Sequence, residues 1–342
     1  MQKSIENIDA EIIVVDNNST DGSCDMIKEN FPVVKLIQNT ENFGFSKGNN
    51  IGVSVATGKY VCILNPDTVV PENGFKELLH FAKNKNNLGV IGCHLIDGTG
   101  AFLPESKRNI PTPFTALKKI LGNDRAYYGR LNEEAIGSVN VLVGAFMLLK
   151  TDVYKAVGGF DEDYFMYGED IDLSYKVIKM GFQNYYYGGV SVIHFKGEST
   201  IRDKTYVKRF YGAMKVFYKK HFYYGIVMLF LVNIGIKLMS LKPYKIIVKE
   251  RKTARIIIVS KLENTKLEQQ LKEPLSYSEN LENFESNSMV ILNTAAMTFQ
   301  RIINVLKSHK KSQNIMFRIW PEGRNFIIGS DSAIARGEVI KF

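Results

Sequence analysis

Residues 11–22 read EIIVVDNNSTDG, a short apolar run followed at once by polar and small residues. A run rich in Ile and Val fits a buried β-strand, and the Asp, Asn, Ser and Gly after it favour a turn. The same arrangement returns at residues 60–67, where YVCIL precedes Asn65-Pro66-Asp67. In open α/β sheets, ligands bind at the carboxyl ends of the strands. Both polar turns are therefore candidate functional positions.

Strand-like and helix-like segments alternate through the first 200 residues, which predicts an α/β fold with helices covering a parallel sheet. The predicted strands are Glu11–Val15, Val33–Gln38, Tyr60–Leu64, Gly89–Leu95, Val139–Lys150 and Asn184–His194, the last as a strand or strand pair. The predicted helices are Ser23–Asn30, Gly44–Ala56, Asn73–Lys83 and Leu173–Met180, the last opened by Glu169-Asp170-Ile171-Asp172. Residues 98–138 contain several prolines and are expected to be a loop-rich connection.

A smaller α/β unit is predicted beyond Pro243. Its strands are expected at Arg255–Ser260, Met289–Thr294 and Ile315–Trp320, and its helices at Lys266–Leu271 and Phe299–Ser308. No G-x-G-x-x-G follows the first of these strands, so a dinucleotide site there is unsupported. The predicted organisation therefore has three parts, residues 1–200, 201–250 and 251–342, and the sequence leaves the role of the third open.

The net charge of +9 is unevenly distributed along the chain. Residues 1–200 hold 19 basic and 24 acidic residues, whereas residues 201–250 hold 11 and 2. The acidic first part argues against nucleic-acid binding. Within the basic segment, the uncharged run 222–236 is shorter than the roughly 20 residues of a membrane-spanning helix. Its basic flanks suit an anionic membrane surface, and a core helix with solvated lysines is the alternative.

The rest of the composition excludes several classes of protein. A hydrophobic fraction of 45% rules out wholesale disorder. The three cysteines, Cys24, Cys62 and Cys93, have no C-x-x-C spacing, which argues against a disulfide scaffold or a zinc ribbon and favours a reducing compartment. Met1 begins a polar stretch without an apolar run, so no signal peptide is predicted.

Four polar clusters could carry chemistry. Asp16 could accept hydrogen bonds from a base or ribose, or merely form a turn. Asp67 could hold a hard divalent cation that binds a diphosphate, or belong to a simple turn. The six acids between Asp161 and Asp172 exceed what helix capping needs, and one could act as general base toward an acceptor hydroxyl. His194 is a candidate metal ligand only if the fold brings it to Asp67.

Taken together, the motifs of residues 9–200 resemble glycosyltransferase family 2, the inverting nucleotide-sugar transferases with a GT-A fold. The motifs are residues 14–23 (VVDNNSTDGS), 42–45 (NFGF), 48–50 (GNN), 64–67 (LNPD), 144–147 (GAFM), 158–161 (GGFD) and 168–172 (GEDID). Their order matches the family, and rhamnosyltransferase-like bacterial members are the nearest in pattern. The resemblance implies a Rossmann-like mixed, mostly parallel sheet with helices on both faces, followed here by the small C-terminal α/β domain.

The resemblance also implies roles for individual residues. Asp170 would be the general base, with Glu169 as second choice. Asp67 would bind Mg²⁺ or Mn²⁺ together with His194. It belongs to a DXD-type motif whose first position is occupied by an asparagine. The donor-binding residues would be Asp16, Asn17, Asn42, Gly44, Asn49 and Asn65. The acceptor-binding residues would be Gly144, Ala145 and Asp161.

The implied reaction moves a sugar from a nucleotide-diphosphate sugar to a hydroxyl of a glycan or lipid-linked acceptor in cell-envelope polysaccharide synthesis. The cation would neutralise the departing nucleoside diphosphate, and one in-line displacement would invert the anomeric configuration. The implied location is cytoplasmic and peripheral, at the inner face of the cell membrane, with an anionic membrane surface as partner and no nucleic acid.

One departure from the family's pattern concerns the start of the chain. Family members normally begin with an apolar strand that lies inside the sheet and touches the nucleotide, whereas this chain starts at Met1, late in the helix that follows. Without that strand, two open strand edges and a gap in the core are expected. Two explanations are expected. The sequence is a fragment or starts at the wrong methionine, or the protein is complete with a damaged nucleotide pocket, as in a non-catalytic remnant that binds a sugar nucleotide or a glycan.

Overall fold

A computed structural model describes residues 1–112, 115, 127–196, 204–222, 253–260, 263–271, 273–309, 314–334 and 337–342. The apolar run 222–236, apart from its first residue, and the predicted boundary at Pro243 lie outside these residues. Among the described helices, none combines the length and the apolar character that crossing a bilayer requires.

The first part of the chain alternates strands and helices as predicted. The helices are α1 (Gln2–Ile5), α2 (Ser23–Asn30), α3 (Gly44–Ser54) and α4 (Gly74–Lys83), with a short 3₁₀ helix at Pro104–Ser106. The strands are β1 (Ile13–Asp16), β2 (Lys35–Gln38), β3 (Tyr60–Leu64), β4 (Thr68–Val69) and β5 (Leu88–Ile96). The predicted strands and helices of this part are therefore confirmed; the dipeptide strand β4 was not predicted.

Among the described residues, six further elements follow, up to residue 221. They are β6 (Ile136–Ser138), β7 (Phe146–Lys150), α5 (Thr151–Ala156), α6 (Glu169–Lys179), β8 (Gln183–His194) and α7 (Lys204–His221). Helix α6 begins at the predicted acidic cluster, and β8 is one long strand rather than a pair. Helix α7 packs Met214 and Phe217 against Tyr164 and Ile171, so the first part of the basic segment lies against α6.

The strand predicted over Val139–Lys150 is wrong in its first half, because β7 begins only at Phe146. The amide of Phe146 donates to the carbonyl of Val143 at 3.3 Å, which closes a turn. Upstream, Val141 exchanges two backbone hydrogen bonds of 2.9 Å with Arg108 instead of joining the sheet. The stretch is apolar because it is buried, and hydropathy does not separate a buried turn from a buried strand.

The central sheet has the strand order β3-β7-β5-β8-β4, and β6 also pairs with β8. Strands β5 and β8 run parallel, while β7 is antiparallel to both of its neighbours and β4 is antiparallel to β8. The expected mixed sheet is confirmed. Because of these directions, the end of β3, the start of β7 and the end of β8 meet at one edge of the sheet, which positions the site.

Strands β1 and β2 form a separate parallel pair. In the described part of the chain, no strand joins the second edge of β1, and none joins the second edge of β3. Both strands line the same cavity, and Ile13, Val14 and Val15 are only half-buried. The open edges and the core gap are those expected from the sequence.

The C-terminal unit is a second sheet with the order β10-β9-β11-β12-β13-β14. Its elements are β9 (Arg255–Val259), α8 (Thr265–Gln270), β10 (Leu275–Tyr277), β11 (Ser288–Asn293), α9 (Phe299–Ser308), β12 (Met316–Trp320), β13 (Phe326–Gly329) and β14 (Glu338–Lys341). The predicted strands and helices are confirmed, and β10, β13 and β14 were not predicted. Glu72 of the first domain accepts hydrogen bonds from the amides of Phe299 and Gln300 at 2.7 and 3.0 Å, so the unit docks beside β4.

Candidate active site

A cavity of about 1410 Å³ extends from the gap between β1 and β3 to the start of α6. Nine of the predicted site residues line it: Asn17, Asn49, Asn65, Asp67, Gly144, Ala145, Glu169, Asp170 and His194. Four others do not line it: Asp16, Asn42, Gly44 and Asp161. The fold therefore collects the predicted metal and base positions around one space, with only part of the predicted acceptor and donor sets.

Asp67 and His194 meet at the sheet edge because β4 pairs with the end of β8, with Thr68 opposite His194. Asp67 Oδ1 lies 3.3 Å from His194 Nε2, and Asn65 Nδ2 lies 3.4 Å from the same nitrogen. Asp67 Oδ1 and His194 Nδ1 are buried without a hydrogen-bond partner in the described structure. A buried carboxylate oxygen without a hydrogen-bond partner suits a site where a bound ligand would supply that partner.

The donor set at this edge suits a hard divalent cation. A carboxylate oxygen, an imidazole nitrogen and a neighbouring amide oxygen are all available for Mg²⁺ or Mn²⁺. No group of three or more His, Cys, Asp and Glu side chains gathers here or elsewhere in the described ranges. Asp67 and His194 would thus hold the ion by two ligands, and Mg²⁺ sites of that kind are ordinarily completed by substrate phosphates and water.

The acidic cluster opens α6. Gly168 precedes the helix with φ 81°, a conformation that favours glycine, and Glu169, Asp170 and Asp172 fill the first turn. All three side chains are buried at the helix N-terminus, where the helix dipole favours negative charge. Asp172 pairs with Lys176 at 3.1 Å and His221 at 2.5 Å, so it links α6 to α7. Glu169 and Asp170 are left facing the cavity.

Asp170 is held from three sides. Its Oδ2 accepts from Arg108 Nη2 at 2.6 Å and from the amide of Gly144 at 3.1 Å, and its Oδ1 accepts from the amide of Ile171 at 2.8 Å. Sequence reasoning did not find Arg108, which lies in the stretch expected to be a loop. Arg108 stands between a serine-lysine pair and two prolines, where the sequence shows no hydrophobic periodicity. Its partner Asp170 is distant in the chain.

Glu169 has a different environment from its neighbour. It is 7% exposed, and its Oε2 has no hydrogen-bond partner among the described residues. Burial, and next the charge of Asp170, raise the pKa of Glu169 to about 8. Two adjacent carboxyl groups with such different surroundings can take different proton-transfer roles.

Replacing Glu169 with glutamine should change how stability depends on pH. Because its folded-state pKa lies above the ordinary 4.5, the stability contributed by this group is complete below about pH 4.5 and is lost as pH rises through about 8. We therefore expect the Tm of Glu169→Gln, relative to wild type, to rise between about pH 5 and pH 8.5. Thermal unfolding at both pH values checks this, with the exposed Glu41→Gln as control; a constant difference would contradict the assignment.

The predicted donor side is a network of amides around α3. Asn17 Nδ2 donates to the carbonyl of Gly44 at 3.0 Å, and Asn39 Nδ2 donates to Asn17 Oδ1 at 2.9 Å. Asn42 Oδ1 accepts from the amide of Gly44 at 3.0 Å, and Asn49 Nδ2 donates to the carbonyl of Phe45 at 2.8 Å. Asn42 and Gly44 thus shape the loop beside the cavity.

Gly44 itself is constrained, with φ 80° and no room for a side chain. A Cβ atom there would lie 2.4 Å from the carbonyl oxygen of Phe165. The carbonyl of Phe165 therefore lies directly against Gly44, which places the start of α3 next to the loop that leads into α6.

Two predicted site residues have local partners outside the cavity. Asp16 Oδ2 accepts from the amide of Ser19 at 2.9 Å; burial alone would raise its pKa, but the hydrogen bonds from Ser19 and Cys24 lower it. Asp161 pairs with Lys220 of α7 at 2.5 Å. In this state of the protein, Asp16 shapes its own turn and Asp161 ties the loop before α6 to α7.

Comparison with known proteins finds similarity to glycosyltransferases. The family model described as Glycosyl transferase family 2 matches residues 2–158. An N-acetylglucosaminyl-diphospho-decaprenol L-rhamnosyltransferase of Mycobacterium tuberculosis is 28% identical over 211 residues, which cover 56% of this chain and 68% of the relative. The rhamnosyltransferase WbbL of Escherichia coli is 26% identical over 210 residues, which cover 57% of this chain and 78% of the relative.

Among solved structures, the mannosyltransferase PcManGT from Pyrobaculum calidifontis, in complex with GDP-Man and Mn²⁺, aligns with a TM-score of 0.44 at 18% identity. The alignment covers 67% of this chain and 61% of the mannosyltransferase. The match to the family model, which spans slightly less than half of the chain, and the named relatives support the assignment of this chain as a rhamnosyltransferase-like member of glycosyl transferase family 2.

Proposed function

We propose that this protein transfers a sugar from a nucleotide-diphosphate sugar to a hydroxyl of a glycan or lipid-linked acceptor, with inversion and with the help of a divalent cation. The observation that carries the proposal is the single cavity that Glu169 and Asp170 share with Asp67 and His194. A direct displacement needs a general base and a binding site for the leaving group in the same cavity. The names of the relatives support an acceptor in cell-envelope polysaccharide synthesis.

In this mechanism Asp170 takes the proton of the acceptor hydroxyl as that oxygen attacks the anomeric carbon. The amide of Gly144 and the guanidinium of Arg108 keep the carboxylate oriented. Asp67 and His194 would hold Mg²⁺ or Mn²⁺, and such an ion would supply positive charge that offsets the charge of the departing nucleoside diphosphate. Asn17, Asn49 and Asn65 line the donor half of the cavity, and Ala145 lies beside Gly144 in the acceptor half.

We further propose that the protein works as a peripheral protein at the cytoplasmic face of an anionic membrane. Helix α7 exposes Arg209, Lys215 and Lys219 next to the site and leads into the basic, apolar segment of residues 222–250. Basic residues near an anionic surface contribute about 1 kcal/mol each. A lipid-linked acceptor would then meet the cavity without leaving the bilayer.

One assay tests both statements. The 342-residue chain is incubated with Mg²⁺ or Mn²⁺, a panel of nucleoside-diphosphate hexoses and rhamnose, and N-acetylglucosaminyl-diphospho-polyprenol in anionic or neutral vesicles. We expect cation-dependent formation of a longer glycolipid, together with flotation of the protein on the anionic vesicles alone. No transfer from any donor would contradict the activity, and equal flotation on both vesicle types would contradict the electrostatic membrane contact.

The gap between β1 and β3 favours a second candidate, a non-catalytic protein that binds a sugar nucleotide or a glycan. Among the described residues, no strand lies between the apolar edges of β1 and β3 in what would be the nucleotide half of the cavity. A binding protein of this kind would retain donor affinity but show neither transfer nor cation-dependent donor hydrolysis. Hydrolysis of the donor by this chain would exclude that candidate.

A further inference from the structure

Arg108 is a buried cation at the centre of the proposed catalytic machinery. Its residue is 7% exposed, and its backbone exchanges two hydrogen bonds of 2.9 Å with Val141. This isolated bridge fixes the main chain of Arg108 beside the turn that carries Gly144. The side chain thereby reaches α6, although Arg108 and Asp170 are 62 residues apart in the sequence.

A single nitrogen of the guanidinium, Nη2, makes two of its contacts. Nη2 lies 2.6 Å from Asp170 Oδ2 and 3.1 Å from the carbonyl oxygen of Leu142. The amide of Gly144 reaches the same carboxylate oxygen at 3.1 Å. The guanidinium and the amide of Gly144 in the turn thus both hold the carboxylate of Asp170. Both groups belong to the cavity wall on the acceptor side.

Several charged groups surround this contact. Glu169 and Glu105 both interact electrostatically with Arg108, but Glu105 is paired with Lys196, and Asp172 of α6 is paired with Lys176 and His221. Burial works against the charge of Arg108, but Asp170 and then Tyr127 raise its pKa above its ordinary value. Arg108 therefore keeps its positive charge and offsets the neighbouring carboxylates.

We propose, on the basis of the function above, that Arg108 is a positioning residue that keeps the Asp170 carboxylate aimed at the acceptor hydroxyl. A buried ion pair is a weak source of folding stability compared with an apolar replacement, so stability alone does not account for placing a charge here. A planar guanidinium can hold a carboxylate and a carbonyl at once, which a lysine ammonium does less well. Arginine at this position thus suits orientation.

The test compares Arg108→Met and Arg108→Lys with Lys107→Met. Lys107 is the adjacent buried cation, and it donates to the carbonyl of Gly129 at 3.3 Å instead of contacting α6. For Arg108→Met we expect kcat to fall about 10²-fold, the loss that a misplaced catalytic group can cause, with the KM for donor within a factor of about three. The acidic limb of its pH–rate profile should move to higher pH, because the carboxylates lose their neutralising charge.

Arg108→Lys should recover the wild-type pH profile but only part of kcat, and added guanidinium should partly restore Arg108→Ala. Lys107→Met should leave the profile unchanged. If Arg108→Met keeps the wild-type profile and loses no more kcat than Lys107→Met, the positioning role is wrong. A wild-type protein without transfer would instead count against the proposed function.

Thermal unfolding tests the inference without any activity. If the pair acts as a unit, the double variant Arg108→Met with Asp170→Asn should lose clearly less Tm than the sum of the two single losses. Additive losses would show that the two side chains are not coupled and would overturn the proposal. If Arg108→Met does not fold, the same comparison is made with Arg108→Lys.

Discussion

Replacing Asp170 with asparagine is expected to lower kcat for sugar transfer by about 10²–10⁴-fold, the usual contribution of a general base. The side chain keeps nearly its shape but can no longer take a proton from the acceptor hydroxyl. Because Asp170 lies at the start of α6 and not beside Asn17 or Asp67, affinity for the nucleotide-sugar donor should change little. Initial rates and calorimetric donor titration, taken together, measure the two effects separately.

The matched control for this substitution is Asp152→Asn. Asp152 also lies in the first turn of a helix, α5, but its side chain is exposed and outside the cavity. We expect this variant to transfer at the wild-type rate. Near-wild-type transfer by Asp170→Asn would show that Asp170 is not the base, and would move attention to Glu169, whose unpaired oxygen faces the same space.

The second large effect on transfer is expected at the predicted metal site, where Asp67 and His194 meet. Chelation with EDTA should abolish transfer, and Mg²⁺ or Mn²⁺ should restore it. Asp67→Asn and His194→Ala should each raise the cation concentration for half-maximal activity by at least about 10-fold, in the range that even supporting residues of metal sites produce. Removing one of two protein ligands leaves the ion with the other alone, so the loss can be larger. A cation titration of initial rates gives these values.

His80→Ala is the control for the predicted metal site. His80 is exposed on α4, far in the sequence from β8, and should leave the cation dependence unchanged. Full activity after exhaustive chelation would contradict the assignment of Asp67 and His194. So would a wild-type cation requirement in both variants.

Much of the fold was predictable because its signals are local. The ranges of α2 and β3 coincide with the predictions, since each is a short run bounded by turn residues. Val139–Lys150 failed because its first half is buried in a turn against Arg108, and burial selects apolar residues in turns and strands alike. Strands β13 and β14 were missed because they extend the sheet antiparallel beyond β12, outside the alternation of strands and helices on which the prediction rested.

The site was predictable where a motif carries it. Asp67, Asp170 and His194 were chosen from the sequence, and the fold brings all three to one cavity. Arg108 could not be found in this way, because its role depends on a contact between distant parts of the chain. Asn17 lines the cavity but Asp16 does not, and the carboxylate of Asp16 instead accepts a hydrogen bond from the amide of Ser19 in its own turn.

The most direct measurement of the mechanism is the anomeric configuration of the new glycosidic bond, read by NMR from the product of a defined donor. In the proposed mechanism Asp170 acts as a base and no side chain takes up the sugar covalently, so a single displacement completes the reaction. The account predicts a product whose configuration is opposite to that of the donor. A product with the donor's configuration would require two displacements and would contradict the account.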